Sequence, residues 1–145
     1  RADEAFNTDS ELSGLAPRIA GLYEGLSLKK KIHPKFGRIT SAGENFWVPE
    51  NNEYQDMHAE WLPGCCMTYR MSKIKGMKFS EELQNGPSGG YSLGEDVDFS
   101  MRAGKLRALL STTGIHLQAP SVRDSSYTIA AARGRWLFYL KNKNN

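Results

Sequence analysis

The sequence predicts an α/β domain in which a mixed β-sheet is flanked by helices. Three observations support this class. Apolar residues recur at helical spacing in residues 9–31, short apolar runs typical of strands follow, and an amphipathic acidic segment comes after a glycine-rich loop. With 145 residues, of which 39% are hydrophobic and 24% charged, the chain has the size and composition of a single globular domain, residues 1–145.

The first predicted element is a helix within residues 9–31. Its apolar positions recur three or four residues apart: Leu12, Leu15, Ile19, Leu22 and Leu26. Pro17 suits the first turn of a helix that starts near Leu15 or Ala16. Lys29 to Lys31 favour a helix C-terminus, and Pro34 closes the segment.

The next predicted elements are strands and loops. Residues 38–40 and 46–48 are typical of short strands, and residues 50–57 of an exposed loop. Pro63-Gly64 predicts a tight turn before a buried strand that includes Cys65 and Cys66. We expect these two cysteines to be small hydrophobic residues of a reduced, cytoplasmic protein. Residues 71–90 are interpreted as a linker, with one helical turn at 79–83.

An acidic helix is predicted from about Leu93, where Ser92 and Glu95 have the spacing of a capping box. The spacing also predicts one apolar face for Val97 and Met101, an ion pair between residues 98 and 102, and a left-handed cap at residue 104. Acidic residues are favoured in the first turn of any helix, so the carboxylates have a purely structural interpretation. The alternative is that one of them faces a cleft as a general base.

The last predicted elements are two strands and a helix. The strands cover residues 106–110 and 114–117, separated by a turn at 111–113, and the helix covers residues 125–142. The net charge of the chain is only +3, and its lysines and arginines are scattered along the sequence. Both observations argue against a nucleic-acid partner. No apolar run approaches the length that spans a bilayer.

Two segments in series carry a family resemblance. WLPGCCMTYR at residues 61–70 and GYSLGEDVDFSMR at residues 90–102 resemble the C-terminal half of a family 2-type glycosyltransferase of GT-A fold. Gly114-Ile115-His116 occupies the place of that family's strand ending in histidine, and residues 119–123 are similar to the loop that follows.

The resemblance implies an enzyme that transfers a sugar with inversion from a nucleotide-diphosphate donor to a glycan or lipid-linked acceptor, as in cell-surface polysaccharide synthesis. It implies that Asp96 is the general base, which removes the proton of the acceptor hydroxyl. Glu95 and Asp98 are then supporting residues, and Asp98 holds Arg102.

The resemblance implies further site residues. Trp61, Gly64 and Tyr91 would contact the acceptor or substrate, and Arg123 would lie along the diphosphate. A divalent metal, Mn²⁺ or Mg²⁺, would neutralise the leaving group, with His116 as an additional ligand. A structural role is the alternative for both His116 and Arg123.

One part of the family pattern is not found. No Asp-x-Asp follows an apolar strand upstream of the acidic helix, and no βαβ nucleotide-binding unit precedes it. The sequence is therefore expected to lack the N-terminal nucleotide-binding half, which holds the main metal ligands. The chain alone is expected to be inactive and to expose apolar surface where the absent strands would pair.

Two other functions remain open at this point. The chain would be a non-enzymatic module that binds carbohydrate or protein through Trp61, Tyr69, Tyr91 and the loop at 86–94. Alternatively, the last helix would contact the inner face of a membrane peripherally, since basic residues flank the apolar run at 136–140. The sequence favours docking of these aromatic residues on the sheet over the membrane contact.

Overall fold

The structure is a computed structural model that describes residues 1–20, 37–39, 56–83, 94–115 and 125–142. The described elements, in chain order, are the helix α1 (Ala2–Thr8), the strands β1 (Gly14–Ala20), β2 (Met57–Ala59) and β3 (Thr68–Tyr69), the helix α2 (Met71–Ile74), a 3₁₀ turn (Glu81–Leu83), the helix α3 (Glu95–Ala103), the strand β4 (Leu106–Ile115) and the helix α4 (Ser125–Asn142). This arrangement confirms the predicted α/β class with a mixed sheet and flanking helices.

The sheet has the order β2-β4-β1-β3, with β1 and β4 parallel at its centre. The short strands β2 and β3 pair antiparallel at the two edges. Gly14 lies opposite Leu106, and the register continues to Pro17 opposite Leu109 before it shifts to Arg18 opposite Thr113. The shift follows Pro17, which lacks the backbone N–H that a regular ladder needs.

The strand β1 corrects the predicted helix in residues 9–31. Leu15 and Ala16, which are neighbours in the chain, are both buried, because β1 carries core residues on both faces. A parallel strand buried on two faces has a nearly continuous apolar sequence, and Leu15 and Ile19 matched a helical spacing by chance. Leu22, Leu26, the three lysines and Pro34 lie outside the described residues.

The strand β4 corrects the prediction of two strands separated by a turn. It runs without interruption from Leu106 to Ile115, and the predicted turn at 111–113 falls where its register against β1 shifts. Ser111, Thr112 and Thr113 are therefore part of an irregular strand, in which threonine is well tolerated.

Two apolar clusters lie on opposite faces of the sheet. The smaller one joins Ala5 of α1 to Leu12, Leu15 and Leu109. The larger one lies between the sheet and the helices α3 and α4, and its buried members are Ala16, Ile19, Ala59, Trp61, Leu62, Val97, Ala103, Leu106, Ala108, Leu110 and Phe138. The acidic helix is therefore held by its apolar face against the centre of the sheet.

Several local predictions can be compared with the structure. The last helix, residues 125–142, is confirmed, and the predicted turn at 79–83 includes the 3₁₀ turn. The buried strand predicted after Gly64 is wrong in part, because only Thr68–Tyr69 is a strand and both cysteines are exposed in a turn. In that turn the N–H of Cys66 donates to the carbonyl oxygen of Pro63 at 3.0 Å. None of the helices in the described ranges has the length and apolar character needed to cross a bilayer.

Candidate functional site

The helix α3 places its first turn against the loop that precedes β3. Gly94 precedes the helix with φ +94°, a conformation that glycine adopts at little cost, and no side chain caps this end. The predicted capping box of Ser92 and Glu95 is wrong, because the N-cap of the helix is Gly94 and Glu95 is its first residue. Ser92 itself lies outside the described residues. Gly104 ends the helix as predicted, but its φ of +101° and ψ of −129° are not those of a left-handed cap. Val97 is buried and Met101 is exposed, so the predicted shared apolar face is wrong for Met101.

Asp96 is fixed by two backbone hydrogen bonds. The N–H of Gly64 donates to its Oδ2 at 2.9 Å, and the N–H of Val97 donates to its Oδ1 at 2.8 Å. Burial raises the pKa of Asp96 above its ordinary 3.8, although these backbone bonds oppose the shift. The result is an oriented carboxylate that holds a proton more readily than an exposed aspartate.

Gly64 allows this close approach because it has no side chain. A Cβ atom at residue 64 would lie 3.3 Å from both Cβ and Oδ2 of Asp96, which is tighter than ordinary packing. The family resemblance implied that Gly64 contacts the acceptor or substrate. In the structure the neighbour of its backbone is the carboxylate of Asp96.

Ser100, one helical turn beyond Asp96 on α3, also forms hydrogen bonds with the segment before α2. Ser100, which is fully buried, accepts the N–H of Leu62 at 3.0 Å and is 2.8 Å from the hydroxyl of Tyr69. Burial raises the pKa of Tyr69 to about 12, against the lowering effect of the Ser100 bond. Ser100 thus binds the N–H of Leu62, and Asp96 binds the N–H of Gly64, two residues further along the same loop.

Sequence reasoning did not identify Ser100. The available signal was its position four residues after Asp96, which places both polar side chains on one face of the helix. A serine inside a helix commonly bonds within its own backbone, so this spacing alone does not reveal the bond to residue 62.

Glu95 is half-buried beside Asp96. Its Oε2 atom is shielded from solvent and has no hydrogen-bond partner within the described part of the chain. Burial raises the pKa of Glu95, and the negative charge of Asp96 adds to this effect. Glu95 is therefore a less well-oriented carboxyl group than Asp96.

Asp98 is paired with two cations and confirms the predicted bond to residue 102. Its side chain is 2% exposed, with Oδ2 at 2.8 Å from Nη2 of Arg102 and Oδ1 at 2.8 Å from Nζ of Lys141. Lys141 also donates to the hydroxyl of Ser80 at 3.1 Å, and Arg102 donates to the carbonyl oxygen of Lys78 at 2.8 Å. These bonds tie α3 to α4 and to the segment before the 3₁₀ turn.

The remaining predicted site residues divide into two groups. Trp61 is buried in the larger core cluster with 4% exposure, next to the loop that holds Asp96. Tyr91, His116 and Arg123 lie outside the described residues, so their predicted roles stay predictions. Within the described ranges, no three His, Cys, Asp or Glu side chains are grouped as ligands for a metal ion.

No protein-family model matches this chain, and no curated protein or solved structure is significantly similar to it. The chemistry of the Asp96 region is therefore the basis for a functional proposal.

Proposed function

We propose that this chain is the acceptor-side half of an inverting, metal-dependent glycosyltransferase that uses a nucleotide-diphosphate sugar, with Asp96 as the general base. The observation that carries this proposal is the setting of Asp96. Its carboxylate is fixed by the N–H groups of Gly64 and Val97, and burial raises its pKa. Orientation and a raised pKa are what a carboxylate needs to accept a proton in catalysis.

The hydrogen bonds of Asp96 leave lone pairs that can accept the proton of an acceptor hydroxyl. Each carboxylate oxygen has about two lone pairs, and each accepts one of the two bonds described above. In the proposed reaction the acceptor oxygen bonds to the anomeric carbon and gives its proton to Asp96. The bond from that carbon to the diphosphate oxygen breaks, and its electron pair leaves with the nucleoside diphosphate. A general base of this kind contributes about 10²–10⁴ in rate.

The other parts of the proposal rest on the family resemblance. The divalent metal would neutralise the leaving diphosphate, and its main ligands are expected in a nucleotide-binding half, with His116 as an additional ligand. Arg123 is proposed to contact the diphosphate, and Tyr91 is proposed to contact the acceptor.

The alternative, a non-enzymatic carbohydrate-binding module, has less support. The side chain of Trp61 belongs to the core, and the ring of Tyr69 packs edge-on against Phe99 with centroids 5.2 Å apart. These two aromatic faces are therefore not available together for stacking on a sugar.

The test is the Asp96→Asn variant in an enzyme that includes the nucleotide-binding half. We expect transfer to fall by about 10²-fold or more, with donor affinity in calorimetry unchanged, because the amide cannot take up the proton. Asp3→Asn is the matched control, since Asp3 is an exposed carboxylate on α1, and it should keep normal turnover. Normal turnover by Asp96→Asn would remove Asp96 from the role of base.

A further inference from the structure

The helix α4 has an exposed apolar stripe in addition to its buried face. Gly134 and Phe138 face the core, whereas Ile129 and Trp136 are 69% and 60% exposed and Leu140 is also exposed. Positions 129, 136 and 140 lie along one side of a helix, because they are separated by seven and four residues. The sequence favoured docking of the aromatic residues on the sheet, and this is wrong for Trp136.

Tyr139 lies beside the exposed stripe and widens it. Its ring stacks on that of Trp136, with centroids 5.9 Å apart, and it is exposed as well. Tryptophan and tyrosine combine an apolar ring with a polar hydrogen-bonding group, which suits them to the boundary between water and hydrocarbon.

The contacts of α4 with the rest of the chain fix which side faces outward. Phe138 packs in the core, and Lys141 binds both Asp98 and Ser80. The exposed stripe is therefore directed away from the sheet and cannot turn inward without breaking these contacts.

The charge of α4 identifies the chemistry of its partner. The helix contains Arg133, Arg135 and Lys141 but no aspartate or glutamate. Lys141 is paired with the buried Asp98, so the two arginines leave a formal charge of +2 on the helix. A second copy that packed through the same stripe would place one cationic helix against another, which is unfavourable. An anionic surface would instead be attracted, by about 1 kcal/mol for each basic residue near a lipid headgroup, or about fivefold in affinity.

We propose that the exposed face of α4 binds the surface of a lipid bilayer that contains anionic headgroups. The helix lies in the plane of the interface, with Ile129, Trp136 and Leu140 inserted at the headgroup boundary and the arginines beside them. This proposal does not depend on sugar transfer, and it agrees equally well with a lipid-linked or a soluble acceptor.

The test is co-sedimentation of the protein with phosphatidylcholine vesicles, prepared with and without phosphatidylglycerol. We expect binding to the mixed vesicles that weakens at high salt, together with a blue shift of tryptophan fluorescence that Trp136→Phe removes. The double variant Trp136→Ser/Leu140→Ser should bind about tenfold more weakly or worse, and Arg135→Gln about fivefold more weakly. Met71→Ser is the matched control, because Met71 is 74% exposed on α2, and it should bind like the wild type.

Several results would overturn the proposal. These are no binding by the wild type, equal binding to both kinds of vesicle, or normal binding by a double variant whose circular dichroism shows that it is folded. If analytical ultracentrifugation shows a dimer that the double variant abolishes, the partner is a second copy. Asp96→Asn should bind vesicles normally, so failure of this proposal and failure of the proposed base are distinguishable.

Discussion

Replacement of Ser100 by alanine tests whether α3 holds the loop that contacts Asp96. The change removes the oxygen that accepts the Leu62 N–H and is bonded to the Tyr69 hydroxyl. Leu62 and Ser100 are both fully buried, so water cannot replace this bond without a rearrangement. A buried polar group left without a partner costs about 1–3 kcal/mol. The buried Leu62 N–H is expected to cost this full amount and the part-buried Tyr69 hydroxyl about 1 kcal/mol, so the predicted loss is about 2–4 kcal/mol. That is a large part of the 5–15 kcal/mol typical of a domain.

The variant Tyr69→Phe separates the contribution of the Tyr69 hydroxyl to stability from that of the Leu62 N–H. It removes one partner of Ser100 but leaves the Leu62 bond intact, so we expect a loss of about 1 kcal/mol. In the Ser100→Ala background the same change should cost less, because the hydroxyl of Tyr69 has already lost its partner. The two losses are therefore expected to be non-additive.

The assay is urea denaturation of the single and double variants, with amide hydrogen exchange at Leu62 as a local measurement. We expect exchange at Leu62 to become faster in Ser100→Ala and to be nearly unchanged in Tyr69→Phe. A free energy of unfolding for Ser100→Ala within about 0.5 kcal/mol of the wild type, the range of ordinary surface changes, would refute the reasoning. Strictly additive losses would refute the shared role of the hydroxyl.

Two further predictions concern the other carboxylates of α3. Because burial raises the pKa of Glu95 above its ordinary 4.5, the folded state favours the protonated form, and the stability this gives below pH 4.5 is lost as the pH rises through the raised pKa. Glu95→Gln should therefore raise the unfolding midpoint at pH 7 and leave it unchanged below pH 4.5, and an equal effect at both values would contradict this. Asp98→Ala should lower the free energy of unfolding, measured by urea denaturation, by about 1–3 kcal/mol. Breaking an ion pair whose remaining charge is fully buried costs about 3–5 kcal/mol. The expected loss is smaller here because Arg102 and Lys141 are 37% and 35% exposed. A loss below about 0.5 kcal/mol would mean that these ion pairs do not hold α4.

The helices were predictable where the signals are local. Gly104 ends α3 as predicted, and Asp98 and Arg102 have the spacing of a helical ion pair. The predicted start near Leu93 is wrong, because the helix begins at Glu95 after Gly94. The short helices α1 and α2 were missed, since a helix of one or two turns has little periodicity to detect.

The strand β1 was not predictable from its own sequence. Its structure is set by pairing with β4, which lies far along the chain, and by burial on both faces. Pro17 was read as the start of a helix, whereas it lies where the register between β1 and β4 shifts. Local preference favoured one element and tertiary pairing selected another.

The candidate site also includes one residue that the sequence identified and contacts that it did not reveal. Asp96 was identified by resemblance, but the bonds that orient it and its loop join residues 32 and 38 positions apart, Gly64 to Asp96 and Leu62 to Ser100. No local pattern encodes contacts of that separation. Gly64 was expected to contact the acceptor or substrate, and the structure shows that the carboxylate of Asp96 is its neighbour.

Asp96 and Asp98 have different surroundings, which suits Asp98 to an ion pair between helices and Asp96 to the proposed role of proton acceptor. The two residues are separated by about 200° around the helix axis, so they contact different parts of the protein. Asp98 is paired with Arg102 and Lys141, and these contacts connect α3 to α4. In the described part of the chain, Asp96 accepts hydrogen bonds from backbone N–H groups, whose dipoles orient it but do not overcome the effect of burial on its pKa. Glu95 has a raised pKa as well, but none of the described residues forms a hydrogen bond that orients its Oε2. Geometry therefore selects Asp96 from the three carboxylates of this helix turn as the candidate base.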